Sequence, residues 1–230
     1  MATMHLIRHG QASFGAEDYD RLSELGWQQG RVLGRWYARH TRPDLVVGGG
    51  LRRHRETIEA LNEGYGGPLP EATVNEGFNE FDHLAVIRAY RPEWVEHQVM
   101  ARDLAKEPSP RKAFQKAFGE AIARWIGGQH DSDYPEPWPA FKARVQRGLD
   151  EVVESAGGAQ HVLVVTSGGP ISAIAQRLLE LDDRKAMKLN EVLANASVSR
   201  MLYSGDRRSL AVFNSFAHLE GEDPALVTYR

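Results

Sequence analysis

Apolar residues follow two rhythms along this chain. Three short apolar runs, in segments 4–7, 44–47 and 161–166, stop abruptly at polar or glycine-rich text. Runs of that length, cleanest at Val162–Val165, predict buried strands. Between them the spacing is helical. A first helix is predicted over about 22–40, where Val32/Trp36 and Leu33/Tyr37 share one face. A second spans about 53–63 and is stopped by Gly64-Tyr65-Gly66-Gly67-Pro68. A Pro-rich joint over 134–139 leads into a helix ending at Gly157-Gly158. A further helix runs to about Leu181, with Pro170 expected at its first position. Segments 196–203 and 209–216 read as a hairpin around Ser204-Gly205-Asp206-Arg207.

Residues from about 84 to 128 carry helical pairs (Val95/Val99, Phe114/Phe118, Ala121/Trp125), broken by Pro92, Pro108 and Pro110, and no strand signal. They are expected to form a helical insertion at about 83–130, with Trp94, Phe114, Phe118 and Trp125 as its own core. The alternation elsewhere predicts a single α/β domain over 1–230: three layers, with a mostly parallel sheet flanked by helices.

Composition narrows the chemistry. The chain has 230 residues, 28 Lys and Arg against 31 Asp and Glu, and a formal charge of −3, so nothing draws it toward nucleic acid or an anionic membrane. Absence of cysteine removes disulfides, thiolate zinc sites and a cysteine nucleophile. The nine histidines lack metal-ligand spacing, and neither glycine cluster, 48–50 or 64–67, matches a nucleotide-binding loop. No metal and no other cofactor is expected. With no signal-peptide core and no apolar run of about 18 residues, a cytoplasmic protein is expected. An exposed edge strand near the C-terminus permits a homodimer.

In parallel α/β sheets the ligand crevice lies beyond the carboxyl ends of the strands. Arg8 and His9 follow the first strand, Arg52 and Arg53 the second, and Ser167, Gly168 and Gly169 the third. Two guanidinium forks, an imidazole and a helix N-terminus make an anion site, and phosphate fits it best. A neutral imidazole there could take a phosphoryl group. A carboxylic acid, with Glu76, Glu80 and Asp82 as candidates, could protonate the leaving oxygen. Thr166-Ser167-Gly168-Gly169 lacks the spacing of a serine-hydrolase elbow.

Several of these segments, taken in order, resemble the histidine phosphatase superfamily, the phosphoglycerate-mutase-like proteins. Leu6-Ile7-Arg8-His9-Gly10 is similar to its opening signature. Asp20–Gly26 with Gln28-Gln29 resembles the Asp-x-Leu-Ser/Thr-x-x-Gly-x-x-Gln segment. Leu51–Thr57 resembles Ser-Pro-Leu-x-Arg-Ala-x-x-Thr, which aligns Arg53 with the second family arginine and leaves Arg52 as the alternative. Phe78-Asn79-Glu80 resembles Leu-x-Glu, and 162–169 resembles the late strand ending in His-Gly-Gly. The resemblance implies that His9 is the nucleophile, that Arg8 and Arg53 bind phosphate with help from Ser167 and the Gly168 amide, and that Glu80 is the proton donor. It implies a metal-independent phosphomonoesterase acting through a phosphohistidine on a small phosphate ester.

The chain departs from that pattern at three places. Ser167 stands where the family has its second histidine; loss of one transition-state donor typically costs about 10²–10³ in rate. Either Ser167 still donates, or another histidine, His54 or His83, fills the role, or the pocket binds a phospholigand with little or no turnover. Gly49-Gly50 replace Ser-Pro. Phe14-Gly15 replace the Trp-Asn of the mutases, which disfavours a phosphoglycerate mutase.

Overall fold

The computed structural model describes residues 1–13 and 20–229; Phe14 and Gly15, which bear on the mutase comparison, lie outside them. The described residues form two compact units, 1–80 with 144–230, and 81–143.

The first unit holds a six-stranded mixed sheet in the order β3-β2-β4-β1-β5-β6. Its strands are β1 (Ala2–Arg8), β2 (Leu45–Gly48), β3 (Ala72–Val74), β4 (His161–Thr166), β5 (Val198–Ser204) and β6 (Arg207–Ser215). The pairings β3/β2, β2/β4 and β4/β1 are parallel, and the hairpin β5–β6 adds an antiparallel edge against β1. In β4, Val162, Leu163, Val164 and Val165 are all fully buried. Successive strand side chains face opposite sides, so both faces of the sheet are covered. On one face Ile7, Val46, Leu163, Val165 and Val198 share a core with Leu33 and Tyr37 of α1 (Glu24–His40) and Leu61 of α2 (Arg52–Tyr65).

Local signals set the element ends. Ser23 caps α1 by accepting from the Gly26 amide at 3.1 Å, and α2 ends on Gly66 at φ 74°, a left-handed turn that favours glycine. Gly205 (φ 56°) turns the β5–β6 hairpin. Helix α6 (Trp138–Ser155) feeds β4, and β4 leads into α7 (Gly168–Leu178). Pro170 is therefore the third helical residue rather than the first, a place where the missing N–H is equally without an intrahelical acceptor. The sequence pattern gives no sign of β3 or of α8 (Asp183–Val192). Every residue of β3 is exposed, and α8 buries only Ala186 and Met187. Helix α9 (Ala217–Glu220) and a 3₁₀ turn at Pro224–Leu226 complete the unit.

The second unit is helical: α3 (His83–Tyr90), α4 (His97–Leu104), α5 (Pro110–Ile126) and the start of α6. Pro92 opens a 3₁₀ turn and Pro110 opens α5. Trp94, Ile87 and Ala117 pack with Phe114 and Phe118, while Trp125 sits in a second aromatic group with Phe81, Trp138 and Phe141. That group draws the Pro-rich joint at 134–139 into the unit. No helix among the described residues is long and apolar enough to cross a membrane.

Candidate functional site

Register brings three strand ends level. Arg8 pairs with Thr166, and both Ile7 and Gly48 pair with Val165, so His9, Gly49 and Ser167 leave the sheet along one edge. The His9 amide donates to the Thr166 carbonyl at 2.8 Å, and the Gly49 amide to the Val165 carbonyl at 3.0 Å. The next residue is tied to α2: the Gly10 amide donates to Thr57 Oγ1 at 3.0 Å, and Thr57 Oγ1 donates to the Arg53 carbonyl at 2.7 Å. The spacing Arg53-x-x-x-Thr57 thus joins the loop bearing His9 to the helix turn bearing Arg53.

His9 is 7% exposed, with Nδ1 2.7 Å from the Gly10 carbonyl. A carbonyl only accepts, so Nδ1 carries the ring hydrogen and Nε2 keeps its lone pair. Burial holds the imidazole well below its ordinary pKa, and the charges of Arg53 and Arg8, then His54, push in the same direction. His9 is therefore neutral at pH 7.

The two arginines are held differently. Arg8 donates through Nη1 to the Leu193 carbonyl and, at 3.3 Å, to that of Tyr229. Arg53 pairs with Asp20 at 2.5 Å, and the second Asp20 oxygen accepts from the Arg52 amide at 2.7 Å. Arg52 itself turns along its helix to Glu56 at 2.5 Å. Of the two adjacent arginines, Arg53 is the one whose charge bears on His9.

Glu80 accepts from the Gly169 amide, in the first turn of α7, at 3.2 Å. Its approach is held firmly. Arg144 Nη1 lies 3.0 Å from each of the Glu76, Gly77 and Asn79 carbonyls. Thr166 Oγ1 donates to the Phe78 carbonyl at 2.6 Å, and Asn79 Oδ1 accepts from the Gly50 amide at 2.6 Å. Glu76 is exposed. Asp82 and His83 belong to the second unit, where Asp82 caps α3 through the Leu84 and Ala85 amides.

Ser167 occupies the N-cap position of α7 but makes no side-chain cap bond. Its Oγ lies 2.7 Å from His54 Nε2, and both residues are fully buried. The His54 and His9 rings are 5.9 Å apart. Burial and Arg53 lower His54 to about 3, with the Gly49 backbone pulling the other way. At Gly168 a Cβ would stand 2.0 Å from Asn190 Oδ1, so a larger residue there would require the Asn190 side chain to turn aside.

Polar residues outside the expected site complete the frame. Gln29 is fully buried; its Oε1 accepts from the Gln11 amide at 2.8 Å, and its Nε2 donates to the Leu226 carbonyl at 2.7 Å and to Thr228 Oγ1 at 2.9 Å. Asn195 donates to the His9 carbonyl at 3.4 Å, and Ala196, at φ 53°, donates its amide to the same oxygen at 3.2 Å. Gln29 was visible in the sequence as the end of a motif; Asn195 left no signal.

The model of the histidine phosphatase superfamily (branch 1) matches residues 4–215. The chain belongs to this family. Among solved structures, this histidine phosphatase superfamily member is similar to a phosphoglycerate mutase from Bacillus anthracis str. Sterne (18% identity, 95% of each chain, TM-score 0.66). It is also similar to a phosphoserine phosphatase from Entamoeba histolytica in complex with phosphoserine (20% identity, 95% of this chain and all of that one, TM-score 0.65). A mycobacterial glucosyl-3-phosphoglycerate phosphatase is 24% identical over 94% of this chain and all of that one, at TM-score 0.61. At these identities the likeness speaks for the fold. No curated protein matches the sequence closely enough to be called a relative.

Proposed function

We propose that this member hydrolyses small phosphate monoesters through a phosphohistidine on His9. One observation carries the reading: the Nδ1–H of His9 is spent on the Gly10 carbonyl, which leaves Nε2 as the nucleophile on a ring that burial, and then Arg53 and Arg8, keep neutral. In the first step Nε2 attacks phosphorus, the bond to the leaving oxygen breaks, and Glu80 as a carboxylic acid protonates that oxygen. In the second, Glu80 as carboxylate takes a proton from water, the water oxygen attacks phosphorus, and inorganic phosphate leaves with His9 neutral again. Arg8, Arg53, Ser167 and the Gly168 amide bind the phosphoryl oxygens. Charge neutralisation and alignment supply most of the catalysis in such transfers. The phosphatases and the mutase among its structural neighbours support a small phosphorylated substrate.

The test is turnover of an aryl phosphate by the parent and by His9→Ala, with acid-labile ³²P trapped on protein after rapid quench. Turnover and labelling in the parent, both lost in the variant, are expected. Phosphate-competable binding without turnover by the parent would replace the enzyme with a phospholigand-binding protein.

A further inference from the structure

The proposed reaction leaves one cluster unused: the buried contact between α2 and the β4–α7 turn. His54 follows Arg53 directly, and its Nε2 reaches across to Ser167 Oγ at 2.7 Å. Both side chains are completely buried, so the contact is not a surface accident. Burial of two polar groups costs free energy unless they satisfy each other, and a satisfied buried pair holds one fixed geometry.

Ser167 gives a second, independent indication. A serine at an N-cap ordinarily accepts from an amide of its own helix. Ser167 makes no such bond, and the Gly169 amide donates to Glu80 instead. The hydroxyl has been turned from its usual local task toward an imidazole on another element. That imidazole lies 5.9 Å from the His9 ring and beside the arginine that acts most strongly on His9.

We propose that His54 is a positioning residue for the phosphate site, fixing and polarising the Ser167 hydroxyl so that the pair together replaces the single histidine donor otherwise found at position 167. In the proposed arrangement the His54 ring hydrogen sits on Nε2, opposite the Nδ1 that has no hydrogen-bond partner among the described residues, so that Ser167 Oγ accepts it and its own hydrogen is left for a phosphoryl oxygen. The Ser167 oxygen then accepts from one partner while donating to the other, which strengthens both bonds. Two departures from the family pattern are thereby in contact: histidine stands where Ala follows the second arginine, and serine stands in the late His-Gly-Gly motif. The side chains touch, so exchanging small and large between the two positions roughly conserves volume. This assignment rests on the phosphatase reading for its chemistry but not for its test.

The experiment compares the parent with His54→Ala, Ser167→Ala, the double alanine variant and the exchange His54→Ala/Ser167→His. Each is measured for aryl phosphate turnover and for orthovanadate affinity, with thermal midpoints recorded. A donor acting as a unit predicts that either single alanine lowers kcat about a hundredfold with KM within about threefold. It predicts a double alanine variant no more than about threefold worse than the worse single, and an exchange variant that regains at least tenfold over His54→Ala. His54→Gln, whose side-chain amide can still donate to Ser167, should fold and keep activity between the parent and His54→Ala, which covers failure of the exchange variant to fold. Losses that multiply in the double variant, or a folded His54→Ala within threefold of the parent, would overturn the proposal. Vanadate affinity separates the two readings. If the parent does not turn over, the phosphatase reading fails, and the order of vanadate affinities alone decides: parent and exchange variant above His54→Ala supports the pair, and equal affinities refute it.

Discussion

Helices α1 and α2 approach so closely that their backbones nearly touch, and the substitution Gly34→Ala measures what that approach is worth. A Cβ at Gly34 would stand 2.1 Å from the Leu61 carbonyl oxygen and 2.7 Å from the Tyr65 amide nitrogen. Both obstacles are backbone, so no side chain can rotate aside and the helices must part by about 1 Å. Forcing a carbon into a packed interior costs about 1–3 kcal/mol, and a backbone obstacle places this site at the upper end. Alanine recovers about 1 kcal/mol of helix propensity over glycine. The net expectation is a loss of about 2 kcal/mol, or roughly 4–8 °C in Tm for a chain of this size. Gly119→Ala in α5 is the control: its Cβ meets nothing within 4 Å, so the propensity gain stands alone and Tm should hold or rise. Urea melts of parent and both variants decide the matter. The same displacement moves Arg53, His54 and Thr57 relative to His9, so Gly34→Ala should also lose activity at temperatures where it is fully folded. A Gly34→Ala variant as stable as Gly119→Ala would refute the argument.

Three further outcomes are expected. Because His9 titrates well below 6.5, the acid limb of kcat/KM, which reports the free enzyme, should lie clearly below pH 6.5; a limb at 6.5 or above would contradict the neutral ring. Glu80→Gln should slow hydrolysis of alkyl phosphates by about 10²–10⁴ while sparing an aryl phosphate whose leaving group needs little protonation; equal losses on both would remove Glu80 as the acid. Stability should fall on acidification. His5, buried against Tyr37 and near His161 and Arg200, is lowered to about 4, chiefly by burial. Its folded pKa is depressed, so the unfolded chain binds more protons between about pH 6.5 and 4. Stability is thus complete above 6.5 and drops by about 3 kcal/mol across that window from His5 alone; urea midpoints from pH 7.5 to 4.5 in parent and His5→Phe would reveal it as a shallower slope in the variant.

What could be read in the sequence was what repeats or clusters. Strand β4 was legible because Val162–Val165 is apolar at every position and therefore has no exposed face; β1 was legible from Met4, Leu6 and Ile7 stopping abruptly at Arg8, and the residues after each strand identified the edge to inspect. Strand β3 and helix α8 bury too little to leave a rhythm. The shift of α7 to begin at Gly168 could not be foreseen, since Pro170 is compatible with any position in a first turn. Arg53, Glu80 and Ser167 could be singled out by motif, but their partners could not. Asp20 on Arg53, Gln29 on Leu226 and Thr228, and Asn195 on the His9 carbonyl are contacts between polar residues far apart in sequence, where periodicity carries no information. His54 stood out only as a neighbour of Arg53, and the distance to Ser167 required the fold.

The placement of β1 has a consequence for biogenesis. Thr3 bonds on one side to a strand near His161 and on the other to one near Leu202, so an apolar segment made early waits for partners made late. At ordinary ribosomal speeds of about 5–20 residues per second the delay is roughly 10–40 s. Through that interval Met4, Leu6 and Ile7 remain on an unpaired β-prone stretch, the kind of edge on which wrong pairing between chains begins.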